Sequence, residues 1–325
     1  MRAKVWTEVQ LHPDAHKRLV AAADVTQAKP GDHTALAGAE VAVIGSSRVD
    51  DAFIERAGDQ LKMVVRHGIG YDKVSVPAAT ARGVLAANTP DGPTEGTAEH
   101  AVGLMFALAK NIAFSDRVLH LDGNWAKAKV RGFELLGKTV GLVGFGRIGR
   151  RVAEMCGRGI RMDVLFYDPM APQGVELPPN VRRAATLDQL LAEADVVSLH
   201  LGLDPRTHRL IGEPQLRAMK PTALLVNTSR GEVVDEEALV RVLNDGHLGG
   251  AAIDVFDPEP PPADHPLFRI DRVIVTPHTA SGTIEASYRS STGVVDQILQ
   301  VLSGQKPASI IDPAAWPGRV KAAAG

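Results

Sequence analysis

Apolar residues run along this chain in short β-branched blocks separated by stretches of helical period. In the first hundred residues the blocks are VAVIG at 41–45, KMVVR at 62–66 and GVLAANT at 83–89. Strand blocks alternating with helical patterns predict a parallel sheet. From Thr94 to about Leu121 an amphipathic segment carries Val102, Met105, Phe106 and Leu108 and ends near the turn Asp122-Gly123-Asn124, which reads as a connecting or interface helix. From Lys138 a second series follows: TVGLVGFG, DVLFYD, VVSLHL, ALLVNTS, GAAIDVF and VIVTP, mostly separated by helical patterns such as LDQLLAEA and DEEALVRVL. Six such strands predict a doubly wound α/β sheet. After Thr279 the pattern is helical again to about Leu302, and a Pro-, Ala- and Gly-rich tail is able to return to the first lobe. No repeat of solenoid length and no low-complexity linker interrupts the series.

At 325 residues the chain is about twice the size of one ordinary domain, so two lobes and a cleft are expected. Lys plus Arg total 36 against 38 for Asp plus Glu, which leaves no basic excess for a phosphate backbone or an anionic bilayer. Nucleic acid and membrane are therefore not expected partners. The opening MRAKVWTEVQ lacks the apolar core of a signal peptide, and the longest apolar stretch, Ala101 to Ala109, is too short to span a bilayer. A soluble, cytoplasmic protein is expected, without an appended regulatory domain. The single cysteine, Cys156, excludes an internal disulfide and a cysteine-based metal cluster, and it reads as packing. No metal site is expected.

The most specific motif is GFGRIG, in which Gly144, Gly146 and Gly149 follow an apolar strand and precede a helix. In that context it is a dinucleotide fingerprint. The first glycine allows the tight turn, the second lets backbone approach a pyrophosphate, and the third lets the helix pack on the strand with its N-terminal amides toward the phosphates. Asp168 lies 19 residues after Gly149 at the end of the next strand, where its carboxylate accepts ribose hydroxyls and repels a 2′-phosphate. The expected cofactor is NAD.

Three further strand ends present Arg230 after LLVNTS, Glu259 in DVFDPEP and His278 after VIVTP. In an open α/β sheet the ligand lies outside the carboxyl ends of the strands, so these distant residues can converge. With RHGIGYD at 66–72, NTP at 88–90, TAEHAVGLM at 97–105, GLVGFGRIG at 141–149, DVVSLHL at 195–201, NTSRGEVVDEEAL at 227–239, DVFDPEP at 254–260 and TPH at 276–278, the chain resembles the D-isomer-specific 2-hydroxyacid dehydrogenases over nearly its whole length. The resemblance implies a flavodoxin-like substrate domain over 1–98 completed by 286–325. It also implies a Rossmann domain over 99–285 with a dimer helix at its start. It places on Arg230 the hold on the substrate's carboxylate and carbonyl oxygen, a task suited to a planar guanidinium. It makes His278 the proton donor in reduction and the base in oxidation, with Glu259 fixing the ring and favouring the imidazolium form. The amides of Ile69 and Gly70 are implied to hold the carboxylate. Arg147, Ile148, Thr228 and Asp254, in or beside these motifs, join the glycines and Asp168 as candidate cofactor contacts.

His100 falls in the TAEH motif and is expected to be structural. His200 either lines the nicotinamide side or packs at its strand end, and Arg48 either meets the distal part of the substrate or is plain surface charge. Gly202 departs from the family, which commonly has proline there. Formate dehydrogenases resemble the same family but carry glutamine at the position of Glu259, which argues against that branch. A reading of another class is a nicotinamide-responsive interaction module like the C-terminal-binding-protein corepressors, which retain the Arg, Glu and His set; this chain lacks their long polar tail. The segment from Glu99 to Leu119 resembles the family's dimer helix, so a homodimer is expected. Which 2-hydroxy or 2-oxo acid is used, whether glyoxylate, hydroxypyruvate, a phosphorylated three-carbon acid or a longer sugar acid, depends on the pocket around its distal group.

Overall fold

The computed structural model describes residues 2–172 and 177–316. The chain divides into two compact units, Met1–Pro93 with Gly282–Gly325 and Thr94–Ser281. Among the described residues the first unit holds β1 (Ala3–Thr7), β2 (Ala23–Gln27), β3 (Val41–Ile44), β4 (Met63–Arg66) and β5 (Leu85–Asn88), in the order β2-β1-β3-β4-β5. Every pair is parallel, which is the flavodoxin-like order. Side chains alternate across the sheet. Val41, Val43, Met63 and Val65 pack with Val294, Val295 and Ile298 of the helix Ile284–Leu302, while Ala42, Ile44 and Val64 pack with Phe53 and Ile54 on the other face. β1 and β2 were not among the three expected strands. AKVWT and ADVTQ mix polar with apolar residues, and pairing with a neighbouring strand, which no local pattern records, makes strands of them.

The second unit holds β6 (Thr139–Val143), β7 (Asp163–Tyr167), β8 (Val181–Arg183), β9 (Val196–Leu199), β10 (Leu224–Asn227), β11 (Gly250–Ile253) and β12 (Val273–Val275). Their order is β12-β11-β10-β9-β6-β7-β8, again parallel throughout. The six expected strands form as read, and β8 is the addition. Its three residues VRR bond only to β7 at the sheet edge, so they need no apolar block. The chain enters at β6 and builds outward in both directions, which puts the topological switch point at the carboxyl ends of β6 and β9.

The single helix expected over 94–121 is two, Asp91–Ala109 and Ile112–Asp122. Asn111 between them takes a left-handed conformation (φ 55°), which asparagine tolerates better than most residues. The break is also filled from outside, since Phe133 N–H donates to the Ala109 carbonyl at 2.9 Å. Leu104, Met105 and Leu108 of the first helix are buried in the core of their own unit. Cys156 is buried in the same core, and burial pushes its thiol up to about 12, so it is inert packing. The tail does return to the first sheet: Ile310 bridges Ala87 of β5 in antiparallel sense and Ile311 N–H donates to the Ala86 carbonyl at 2.9 Å. The last part of the tail, 317–325, lies outside the described residues. No helix among the described residues is long and apolar enough to cross a membrane.

Candidate active site

The turn after β6 shows what each glycine of GFGRIG is for. Gly144 has φ 96°, and a Cβ there would lie 2.3 Å from the His200 carbonyl oxygen at the end of β9. A Cβ on Gly149 would lie 2.3 Å from the Gly144 carbonyl oxygen, so helix and turn touch backbone to backbone. Gly146 is different, because a Cβ there meets nothing within 4 Å. Two of the glycines are demanded by the protein's own packing, and the third keeps open a space that the protein does not fill. Gly146 caps the helix Arg147–Glu154 without a side-chain acceptor, which leaves the positive end of that helix beside the same space. Two buried polar atoms without partners lie at the neighbouring strand ends, Nε2 of His200 after β9 and Oγ1 of Thr228 after β10. Burial pushes His200 down to about 4, so its ring is neutral. Open cradle, helix terminus and unpartnered polar atoms together fit a bound dinucleotide.

At the end of β7, Asp168 Oδ2 accepts from Phe145 N–H at 2.9 Å and Oδ1 from Met170 N–H at 2.8 Å, which holds the carboxylate beside the glycine turn. Phe145 stacks on Phe166 with centroids 3.8 Å apart, and the guanidinium of Arg150 lies over the Phe145 ring. These contacts stiffen the turn from beneath, and nothing local in the sequence announces them.

Arg230, Glu259 and His278 all belong to the second unit, at the carboxyl ends of β10, β11 and β12. The turn carrying Arg230 is stapled by Asn227, whose Oδ1 accepts from Ser229 N–H at 3.0 Å and Ser229 Oγ at 2.7 Å, and whose Nδ2 donates to the Arg230 carbonyl at 2.9 Å. A Cβ on Gly231 would lie 2.1 Å from the carbonyl carbon of Phe256, so the turn rests directly on the loop that carries Glu259. Glu259 Oε2 and His278 Nδ1 are 2.9 Å apart, and Glu259 Oε1 accepts from Phe256 N–H at 3.2 Å. Burial pushes the Glu259 carboxyl up; the hydrogen bond and charge of His278, the Phe256 amide and the charge of Arg230 outweigh it and leave the group below its ordinary value. With Nδ1 committed to a carboxylate, Nε2 is the nitrogen left to exchange a proton.

His278 has φ 51°, a conformation few non-glycine residues adopt, and Asp254 accounts for it. The fully buried Asp254 carboxylate accepts from Thr276 Oγ1, from Thr279 N–H at 2.9 Å and from Ala280 N–H at 3.0 Å, while its carbonyl accepts from His278 N–H at 2.7 Å. Asp254, expected as a cofactor contact, also holds the loop around His278 with both its oxygens. His100 reaches the same network, with Nε2 at 3.2 Å from Thr276 Oγ1. Thr276 opens the TPH motif, but no local pattern marks its hydroxyl as the link between Asp254 and His100. Ile69 and Gly70 lie in the first unit in the loop after β4, and Arg48 is exposed in the loop after β3.

Residues 102–280 match the family profile described as D-isomer specific 2-hydroxyacid dehydrogenase, NAD binding domain. A glyoxylate reductase of Korarchaeum cryptofilum is 39% identical over 266 residues, 81% of this chain and 79% of that protein. A D-3-phosphoglycerate dehydrogenase of Methanocaldococcus jannaschii is 37% identical over 314 residues, covering 95% of this chain but 59% of its own length. Among solved structures, the TT0316 protein of Thermus thermophilus has a TM-score of 0.86 at 34% identity over 95% of this chain and 100% of its own. The NADPH-dependent glyoxylate/hydroxypyruvate reductase of Sinorhizobium meliloti, in complex with NADP and malonate, has a TM-score of 0.86 at 26% identity over 98% of each chain.

Proposed function

The chain belongs to the D-isomer-specific 2-hydroxyacid dehydrogenase family, and on that premise we propose that it interconverts a small D-2-hydroxy acid and its 2-oxo acid with NAD as the hydride carrier. The observation that carries this reading is the 2.9 Å pairing of Glu259 with His278 on a sheet whose glycine turn keeps the space beside Gly146 open. When bound, the reduced nicotinamide supplies a hydride to C2 of the 2-oxo acid. Arg230 orients the carboxylate and polarises the carbonyl oxygen, lowering the cost of the negative charge that develops there. His278 delivers the Nε2 proton to that oxygen, and the Glu259 carboxylate stabilises the imidazolium before transfer and holds the ring in one orientation. In oxidation the neutral ring takes the hydroxyl proton back. The amides of Ile69 and Gly70 are assigned to the substrate carboxylate, and those at the start of the helix Arg147–Glu154 to the pyrophosphate.

Asp168 supports NAD over NADP, since a carboxylate held at this strand end accepts ribose hydroxyls and repels a 2′-phosphate. Glyoxylate and a phosphorylated three-carbon acid are the substrate classes in the relatives' names, with hydroxypyruvate in that of a structural neighbour, and a cytoplasmic, homodimeric enzyme goes with this reading. A corepressor-like module would bind the nucleotide without turnover. The test is steady-state reduction of a panel of 2-oxo acids with NADH and with NADPH, for the parent and for Asp168→Ala. Turnover with NADH preferred in the parent, and a narrowed preference in the variant, is the expected result. Nucleotide binding with no turnover on any 2-oxo acid would favour the module, and an unchanged cofactor ratio in Asp168→Ala would remove that residue from cofactor choice.

A further inference from the structure

The loop after β4, His67–Gly70, is gripped from one side by Asn88, the last residue of β5, and by Thr89, which follows it. Thr89 N–H donates to the Gly68 carbonyl at 3.0 Å, and Asn88 Nδ2 donates to the Ile69 carbonyl at 2.8 Å. Both peptides are trans, so each N–H points opposite to the carbonyl of its own peptide plane. Drawing the Gly68 and Ile69 oxygens toward Asn88 and Thr89 therefore turns the Ile69 and Gly70 N–H groups away from them. Neither N–H has an acceptor among the described residues. Two successive amides aimed the same way form an anion-binding concavity. Gly68, with φ 137°, supplies the backbone conformation that brings both carbonyls to one side, and its own N–H is held by Thr89 Oγ1 at 2.8 Å.

The grip is built from the far end of the chain. Asn88 Oδ1 accepts from Ser309 Oγ at 2.8 Å, its carbonyl accepts from Gln297 Nε2 at 2.9 Å, and Gln297 Oε1 accepts from Ser309 N–H at 3.0 Å. Asn88 and Gln297 are 7% and 3% exposed, so the amide of Asn88 has a single satisfied orientation, with its nitrogen on Ile69. A second anchor lies at the other end of the loop. His67 Nε2 meets Ser291 Oγ at 3.1 Å, Ser291 Oγ accepts from His12 N–H, and burial holds the His67 ring neutral by pushing it down to about 4.

We propose that Asn88 and Thr89, backed by Gln297 and Ser309 of the C-terminal segment, are positioning residues that aim the Ile69 and Gly70 amides at the substrate's carboxylate. The inference rests on the assignment of those amides to the substrate made above. It is tested on the full chain by steady-state reduction of glyoxylate with NADH, together with inhibition by oxalate, which offers carboxylates but accepts no hydride. Asn88→Ala should raise the KM for glyoxylate and the inhibition constant of oxalate by a common factor of about 10 to 100, the worth of one hydrogen bond to a charged group. The KM for NADH should stay at the parent value. Ser309→Ala, which frees Asn88 without touching the loop, should raise the same two constants about 2- to 5-fold, and Thr89→Ser, which keeps the hydroxyl, should match the parent. Parent values of both constants in a folded Asn88→Ala variant, or a KM for NADH rising in step with them, would overturn the proposal. Should Asn88→Ala not fold, Ser309→Ala decides alone, and parent constants there overturn it equally. A parent chain that reduced no 2-oxo acid would instead overturn the functional reading itself.

Discussion

Single side chains carry three expectations. Arg230 is expected to act through the geometry of its fork, so Arg230→Lys, which keeps the charge, should lose about 100- to 1000-fold in kcat/KM for reduction, or roughly 3 to 4 kcal/mol. Kinetics near the parent's would make Arg230 a bystander. Burial pushes the Glu259 carboxyl up, but the hydrogen bond and charge of His278 outweigh it and leave the group below its ordinary value. Reduction consumes a proton from His278 Nε2, and Glu259→Gln keeps the size of its partner but removes the charge, so the fall of kcat/KM with rising pH should begin at lower pH than in the parent. Oxidation, which needs the neutral ring, should extend to lower pH. Paired profiles at one ionic strength check this, and a reduction profile moving the other way would break the proposed coupling. Glu8, 4% exposed, accepts from the amides of Gly45, Ser46 and Ser47, from Gly31 N–H and from Ser47 Oγ. Burial pushes its carboxyl up, but the Ser47 hydroxyl and the surrounding amides outweigh it and leave it below the usual value. A depressed folded-state carboxyl contributes stability that is complete above its unfolded value and is lost as pH falls through the folded one. Glu8→Gln should flatten this acid-side loss in thermal melts below about pH 4.5. Glu8→Ala, which strands the three loop amides, should cost at least about 3 kcal/mol near neutrality.

At the scale of one element, the turn between β6 and its helix separates folding from binding residue by residue. Gly146→Ala places its Cβ in open space, so the variant should fold with a melting temperature near the parent's and bind NADH at least about tenfold more weakly. Gly149→Ala sets a Cβ 2.3 Å from the Gly144 carbonyl oxygen, so it should lose about 1 to 3 kcal/mol of stability through overpacking. Calorimetry and nucleotide-fluorescence titration on both variants distinguish the two effects. A Gly146→Ala variant with parent affinity would mean that the space beside this turn is not where the pyrophosphate lies. The helix break at Asn111 shows the reverse case, in which an outside contact decides an element. Helical period runs through 94–121, yet Phe133 takes the Ala109 carbonyl and the chain turns.

For the whole molecule the expected homodimer draws on only part of the segment its sequence suggests, together with residues just beyond it. Leu104, Met105 and Leu108 of the segment Glu99–Leu119 are already used within their own unit. The apolar residues left outside are Ile112, Leu119, Leu121 and Trp125, the last two 76% and 75% exposed. Exposed aromatic and aliphatic side chains in one segment mark an interaction surface. Light scattering at micromolar concentration should give twice the mass of the chain, and Leu121→Asp should shift it toward the monomer. A monomeric parent would remove the dimer.

Period and motif were enough to read two parallel α/β units, six of the seven strands of the second sheet, the glycine turn after β6 and the candidate residues Arg230, Glu259 and His278. Each of these is written within a window of a few residues, as an apolar block, a glycine spacing or a strand end, so no distant contact is needed to read it. What only the tertiary structure decided is relational. β1, β2 and β8 are strands because of their partners, and Asp254 serves the His278 loop because the strand ends bring its buried carboxylate beside residues 276–280. Asn88 meets Ser309 across 221 positions of chain. Hydrogen bonds of that kind depend on the distance between atoms and not between positions, and the folded sheets alone set that distance.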